Sequence, residues 1–237
     1  MNRAGACIAI VGMGGLGTPA ALALAHAGIG RLLLLDDDVV DESNLHRQIL
    51  YRPEDVGRPK LDAARESLLR ERPSLRVDLH RGRLHPGSID ALLPADVVLE
   101  CSDRYAVKFL AADAAHLLCK PIVHGAAIRW IGTALATSAQ GAPCYRCLFE
   151  DLPGGAQQTC DVAGIVGPVC GIVGGLQAQH ALDIVDGRPR YGELVTIDGW
   201  HGTHRFTRIS ARASCPLCGT SPTIAGIEAS RYVSPPC

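Results

Sequence analysis

The sequence predicts an α/β protein: a Rossmann-like, doubly wound, mainly parallel sheet with an antiparallel C-terminal portion and a structural zinc site made of four cysteines. Three observations carry that expectation. A glycine-rich loop, Gly12, Gly14, Gly15 and Gly17, follows directly on a short apolar run. Strand-like and helix-like runs then alternate through the first half of the chain, as parallel sheets with crossover helices require. Two Cys-x-x-Cys knuckles, Cys144/Cys147 and Cys215/Cys218, lie in the second half.

Cys7 to Val11 is short and wholly apolar, which predicts a strand buried on both faces. The glycines that follow turn the chain into an alanine-rich helix from about Thr18 to Ala27. Leu32 to Leu35 is the second strand and ends in three aspartates. A helix over Lys60 to Arg72 is bounded by Pro59 and Pro73, and a strand follows near Leu75 to Leu79. Val97 to Cys101, Tyr105 to Leu118 and Pro121 to His124 continue the alternation as strand, helix and strand. Beyond Gly125 the texture changes, with Ile128 to Ser138 strand-like and Cys144 to Cys147 forming the first knuckle. Glu150 to Thr159 lacks an apolar period and is expected to be a mobile loop. Ile165 to Val185 predicts a helix packed by small residues, and Glu193 to Ile197 with Thr203 to Ile209 predicts a hairpin. The expected organisation is one domain over residues 1–220, with a nucleotide-binding half at 1–126 and a carrier-binding and zinc half at 127–220. Residues 221–237, rich in Ser and Pro, are expected to form a flexible tail.

Composition narrows the function. At 237 residues the chain can bury one sizeable core, and its net charge of −1 gives no electrostatic argument for nucleic acid. Apolar stretches such as Ala20 to Ala25 fall well short of the ~20 residues of a membrane helix, so no membrane partner is expected. Ten cysteines without an evident leading secretory segment point to a reducing cytoplasm, where zinc can claim thiolates. Two close pairs of thiolates suit tetrahedral zinc and leave no open position for catalysis, so the metal is read as structural. A redox dithiol and disulfides are the alternatives.

The glycine loop lets the backbone approach a phosphate at a helix N-terminus, and Asp36, at the end of the second strand, is placed to accept hydrogen bonds from ribose. A glycine turn that merely packs helix on strand is the bland alternative. The polar cluster that follows, Asn44, Arg47, Gln48 and Lys60, exceeds what a hydride-transfer cofactor needs and suits a triphosphate. A solvated helix face would carry the same residues without a ligand.

Taken together, Gly12-x-Gly-Gly-Leu-Gly17, Asp36-x-Asp38, Ser43-Asn-Leu-x-Arg-Gln48, Gly57-x-Pro-Lys60, Cys101-Ser-Asp103, Gly125-Ala-Ala-Ile-Arg129, the knuckles, Gly167-Pro and Gln177-Ala resemble the ThiF/MoeB/HesA family, bacterial relatives of ubiquitin-activating enzymes. The resemblance implies ATP-dependent adenylation of the C-terminal Gly-Gly carboxylate of a small ubiquitin-like sulfur-carrier protein. It implies that Asp36 binds the ribose, that Asn44, Arg47 and Lys60 engage the phosphates with Gln48 in support, and that Asp103 holds a magnesium ion. Asp103 is also placed to cap the helix at Tyr105. Cys160 stands where some members carry a cysteine that bonds covalently to the carrier, and others share a cysteine there without evident need of it. A homodimer and a separate sulfur-donor protein are further implications, since no rhodanese domain follows. An adenylating enzyme for a peptide natural product is the alternative within the fold; an NAD-binding or non-catalytic Rossmann protein is the alternative outside this chemistry.

The chain departs from the family pattern in three places. Members usually carry a further N-terminal segment with an Arg-containing helix that reaches the partner subunit's ATP site, whereas here only Arg3 precedes the first strand. Arg104 stands where Asn is common, and would bring positive charge near the phosphates. His180 and Asp183 replace a Glu and a Lys on the late helix, a change expected to concern surface or dimer contacts rather than chemistry. Cys7, Cys101, Cys119 and Cys170 lie on apolar runs and are expected in the core.

Overall fold

The computed structural model describes residues 2–152 and 164–233. An eight-stranded sheet organises them in the order β3-β2-β1-β4-β5-β6-β7-β8. The strands are β1 (Cys7–Val11), β2 (Arg31–Asp36), β3 (Arg76–Arg81), β4 (Val97–Glu100), β5 (Ile122–Ile128), β6 (Ile131–Thr137), β7 (Glu193–Asp198) and β8 (Thr203–Arg208). β3 through β5 in this order pair in parallel, and β5 to β8 pair antiparallel. The helices are α1 (Gly17–His26), α2 (Lys60–Glu71), α3 (Tyr105–Leu117), the single turn α4 (Tyr145–Leu148) and α5 (Gly167–Val185).

Every residue of β1 is buried, because α1, α2 and α5 cover one face of the sheet and α3 the other. The pleat sorts them: Ile8 and Ile10 join the core on the α5 side, and Cys7, Ala9 and Val11 the core on the α3 side. At the opposite extreme β8 is exposed along its whole length and carries Arg205 and Arg208, charges that discourage pairing at a free edge. Between β1 and β4 the direction of winding reverses. The crevice at the carboxyl ends of these two strands is where open α/β sheets bind ligands.

Observed boundaries fall within one or two residues of the expected ones through β4 and α3. The exception comes next. β5 runs on through Gly125-Ala126-Ala127 to Ile128, beyond its expected end at His124, and β6 starts at Ile131. The Gly-Ala run has no apolar period of its own and is held by pairing, with Gly125 opposite Ala134 and Ala127 opposite Gly132.

Several expectations need correction. Cys119 is exposed, at φ 54° just after α3, because the chain must turn there before β5. Residues 221–233 are not a free tail: Ile224 is buried beside the knuckles, and Tyr232 is buried with its hydroxyl donating to Asp113 Oδ2 at 2.8 Å. Arg3 is committed within its own chain. Its guanidinium grips Asp186, just past the end of α5, through Nε at 2.9 Å and Nη2 at 2.6 Å, and pulls that carboxyl down to a pKa of about 2. Of the loop expected over Glu150 to Thr159 only its start is described, and Cys160 and Cys237 lie outside the described residues.

Candidate active site

A cavity of about 570 Å³ opens at the crevice between β1 and β4. Its inner wall is the glycine loop. Gly12 has φ +95°, and a Cβ there would sit 3.1 Å from the Cys101 backbone; one at Gly17 would sit 2.0 Å from the Gly12 carbonyl oxygen. Only glycine allows the loop to fold this tightly between strand and helix. Asp36 pins it, accepting from Met13 N–H at 2.7 Å and from Asp38 N–H at 2.8 Å. Tyr51, which the sequence pattern does not single out, donates to the Met13 carbonyl at 2.8 Å. Burial raises the pKa of the Asp36 carboxyl against the pull of Lys60 and its two amide donors. Its oxygens retain lone pairs for a further donor such as a ribose hydroxyl.

The residues expected to meet phosphate converge on this cavity. Asn44, Arg47, Gln48, Lys60, Asp103 and Arg104 all line it, with the glycine loop and the aspartates Asp36 to Asp38. Lys60 is only 6% exposed, and its ammonium lies 2.9 Å from Asp38 Oδ2; Arg47 donates to Asn44 Oδ1. Gln48 is 3% exposed, and its Oε1 has no hydrogen-bond partner. Arg83, also missed, lines the cavity and pairs with Asp37 at 3.0 Å. Its signal was an arginine just beyond the strand that neighbours β2.

Asp103 is exposed on the opposite lip, and α3 takes Arg104 as its N-cap residue with no side-chain capping bond. Asp103 therefore does not play the capping role expected as an alternative, and its carboxylate is open to solvent. Among the described residues, the carboxylates grouped within one cation's reach are instead Asp36, Asp37 and Asp38, two of them already facing Lys60 and Arg83.

Two motifs that the chemistry did not explain are accounted for by packing. Gln177, wholly buried on α5, donates to the carbonyls of Glu100 at 2.8 Å and Val123 at 3.2 Å, and its Oε1 accepts from Cys101 Sγ at 3.4 Å. A Cβ at Gly125 would come within 2.3 Å of this amide, so Gly125 and Gln177 belong together. Burial pushes the Cys101 thiol far up, and it serves as a donor to Gln177.

The knuckles stand against α3. Cys144 Sγ lies 4.0 Å from Cys147 and 3.5 Å from Cys215, and Cys147 lies 3.5 Å from Cys218. Four thiolates at ~2.3 Å from a central zinc would be ~3.8 Å apart, so the set fits the metal. None of the four is in a disulfide. Inside the first knuckle, Arg146 is fully buried and grips Asp113 of α3 through Nε and Nη2, both at 2.8 Å.

Fold and cavity together define a doubly wound α/β protein with a nucleotide-type site at its topological switch point. Residues 4–219 match the ThiF family, and the chain belongs to it. It is 38% identical over 227 residues to a sulfur carrier protein adenylyltransferase of Thermus thermophilus, spanning 92% of this chain and 84% of that one. It is 39% identical over 217 residues to the sulfur carrier protein ThiS adenylyltransferase of Escherichia coli, spanning 90% and 86%. With an adenylyltransferase and sulfurtransferase MOCS3 of Drosophila willistoni the identity is 40%, and this chain spans about half of that protein, 49%. Among solved structures, E. coli MccB with MccA-N7isoASN superposes with a TM-score of 0.82 at 20% identity, covering 92% of this chain and 68% of that one. At that identity the likeness concerns the fold. No helix among the described residues is long and apolar enough to cross a membrane.

Proposed function

We propose that this chain is an ATP-dependent adenylyltransferase acting on the C-terminal Gly-Gly carboxylate of a small ubiquitin-like sulfur-carrier protein of the ThiS or MoaD kind. The observation that carries the reading is the continuity of the cavity. From the glycine loop it runs past Asp103 to the uncovered face of β5 and β6, where Ala126, Ile128, Thr133 and Leu135 line it under Tyr145 and Phe149. A nucleotide alone has no use for that extension. An unbranched peptide tail does, and it would bring its carboxylate to the phosphates.

In this reading a carboxylate oxygen of the tail attacks the α-phosphorus of ATP, the bond to the β-phosphate breaks, and pyrophosphate leaves with the electron pair. Arg47 and Lys60 offset the charge of the phosphates, Asn44 and Gln48 orient them, and Asp36 with Asp38 holds the ribose side. Asp103 would hold the magnesium ion, which neutralises triphosphate charge when bound. Little covalent help is needed, since positioning and charge neutralisation supply the rate. The four thiolates would hold zinc as a clamp. Sulfur would come from a separate donor protein, and a homodimer is part of the same reading. Cys160 is the candidate for a covalent step after adenylation.

ATP–pyrophosphate exchange with a ThiS-class carrier ending in Gly-Gly tests this. Exchange should depend on the carrier, fall about 100-fold or more in Asp103→Ala, and persist in Cys160→Ala. Wild-type protein without carrier-dependent exchange would sink the reading, and exchange supported by a free peptide instead would favour a peptide-adenylating enzyme.

A further inference from the structure

The sheet order β3-β2-β1 lays out more of a nucleotide than its phosphates and ribose. In the reading above, the glycine loop that follows β1 receives the phosphates, and Asp36, the last residue of β2, takes the ribose. Neighbouring strands lie roughly 5 Å apart, so each strand outward moves along the ligand by about one sugar ring. A nucleotide laid from β1 to β2 therefore has its base at the end of β3.

The chain leaves β3 at Arg81 and is stapled at once to β2, with Gly82 N–H donating to the Asp36 carbonyl at 3.1 Å. The next two residues, Arg83 and Leu84, both line the cavity. Leu84 is 2% exposed and gives this end of the cavity an apolar wall. Arg83 Nη2 lies 3.0 Å from Asp37 Oδ2 and 3.1 Å from Oδ1. Asp37 follows Asp36 in the chain, so the guanidinium is tethered one residue from the ribose contact.

That tether uses one nitrogen only. Among the described residues, Nε and Nη1 of Arg83 have no hydrogen-bond partner. More than a third of the Arg83 side chain is exposed, and an ion pair so open to water contributes little to stability. What it does is hold a flat cation in one place. Arg81 gives the contrast, since it pairs with Asp62 on α2 and does not line the cavity. Phosphate has its own cations, with the Arg47 side chain packed against Gly15 of the glycine loop. From β1 to the end of β3 is two strands, roughly 10 Å. A purine at that distance offers a π-face, on which a guanidinium stacks better than an ammonium does.

We propose that Arg83 is a specificity-determining residue for the nucleobase: tethered by Asp37, its guanidinium stacks on the adenine ring and takes no part in binding phosphate. The proposal rests on the ATP site of the reading above and deepens it.

Binding of ATP is measured by calorimetry without carrier, and adenosine and tripolyphosphate are measured by displacement of ATP, after thermal melting shows that each variant folds. Arg83→Leu should weaken ATP and adenosine about tenfold each and leave tripolyphosphate within about twofold. Arg83→Lys keeps the charge, loses the plane and should be nearly as weak. Should Arg83→Leu not fold, Asp37→Asn must show the same split between adenosine and tripolyphosphate at a smaller amplitude. Unchanged adenosine binding, an equal loss for tripolyphosphate, or full rescue in Arg83→Lys overturns the assignment while adenylation stands. Wild-type protein that binds no ATP overturns both, whereas ATP binding without carrier-dependent exchange overturns adenylation alone.

Discussion

The two halves of this molecule are held in place by different means. From β1 to β4 the site is positioned by backbone: strands buried on both faces, glycines that bring strand and helix together, and an aspartate and a tyrosine bonded to the main chain of the loop. Around the knuckles, by contrast, few buried apolar residues are available, and long-range polar contacts take over. Among the described residues, the knuckle cluster contains only Leu217 and Ile224 besides its cysteines. Around it Arg146 reaches Asp113, Arg212 reaches the Arg146 carbonyl at 2.6 Å, and Tyr232 reaches Asp113 from 119 residues away. A backbone-built site tolerates change in distant sequence, whereas a site built from such contacts fails when one member is lost.

The sharpest way to break the comparison is to remove the metal that the four thiols are proposed to hold. Two apolar side chains cannot stabilise the knuckles, and structural zinc sites contribute their binding free energy to folding. Cys144→Ser or Cys215→Ser should abolish stoichiometric zinc and expose residues 142–152 and 210–233 to proteolysis, while hydrogen exchange in β1, β2 and β4 stays slow. Equal loss of protection in both halves would show that the knuckles also support the nucleotide half.

A smaller effect is expected at Arg146. Asp113 is fully buried, and with Arg146 replaced by Met it keeps only the Tyr232 hydroxyl. Breaking a buried pair from one side costs roughly 3–5 kcal/mol, chiefly because a charge is left without a partner. Arg146→Met should therefore lower stability in urea by about that amount, and Arg146→Met with Asp113→Leu by clearly less. A double variant as damaged as the single one would mean that packing around the guanidinium, including its stack over Phe109 at 4.9 Å, matters more than the charge.

The same division explains what could be read from the chain alone. Gly12 to Gly17, Asp36, the helix from Lys60 and the two knuckles were legible because each is a short local spacing with one cheap structural solution. The buried cluster in which Glu100 pairs with Lys108 at 2.7 Å and lies 3.9 Å from His124 was not, since a Lys on a helix and a His at the end of a strand carry no local sign that they meet. Arg146 was hidden inside a knuckle whose cysteines explained its neighbourhood. Cys119 misled because its apolar surroundings end one residue too early, and the C-terminal segment misled because Ser and Pro content does not reveal that Tyr232 has a buried acceptor waiting for it.

Acid should separate the halves by pH. In β5 and α5, burial lowers the pKa of His124 and of His180; Arg190 adds to the effect at His180, against Asp183 and Glu193, and neither His180 nitrogen has a partner. In unfolded chains both histidines titrate near ~6.5, so below that pH the unfolded state binds protons that the native state refuses, and stability falls as pH falls. Each contributes up to about 1.4 kcal/mol per pH unit within its window. Glu100, in β4, behaves as a second step. Burial raises its pKa, but Lys108 and His124 lower it further, so its folded value lies below the ordinary one. It stabilises the fold above the ordinary carboxylate range, and that stability is lost only as pH drops below ~4.3 toward the folded value. Urea midpoints measured from pH 7.5 to 3.5 should thus decline first through the histidine window and again through the carboxylate window. His124→Phe should flatten the first limb and also weaken the second, since it removes one of the groups that hold the Glu100 pKa down, whereas stability constant from pH 7 to 5 would mean that the buried imidazoles take up protons at no cost.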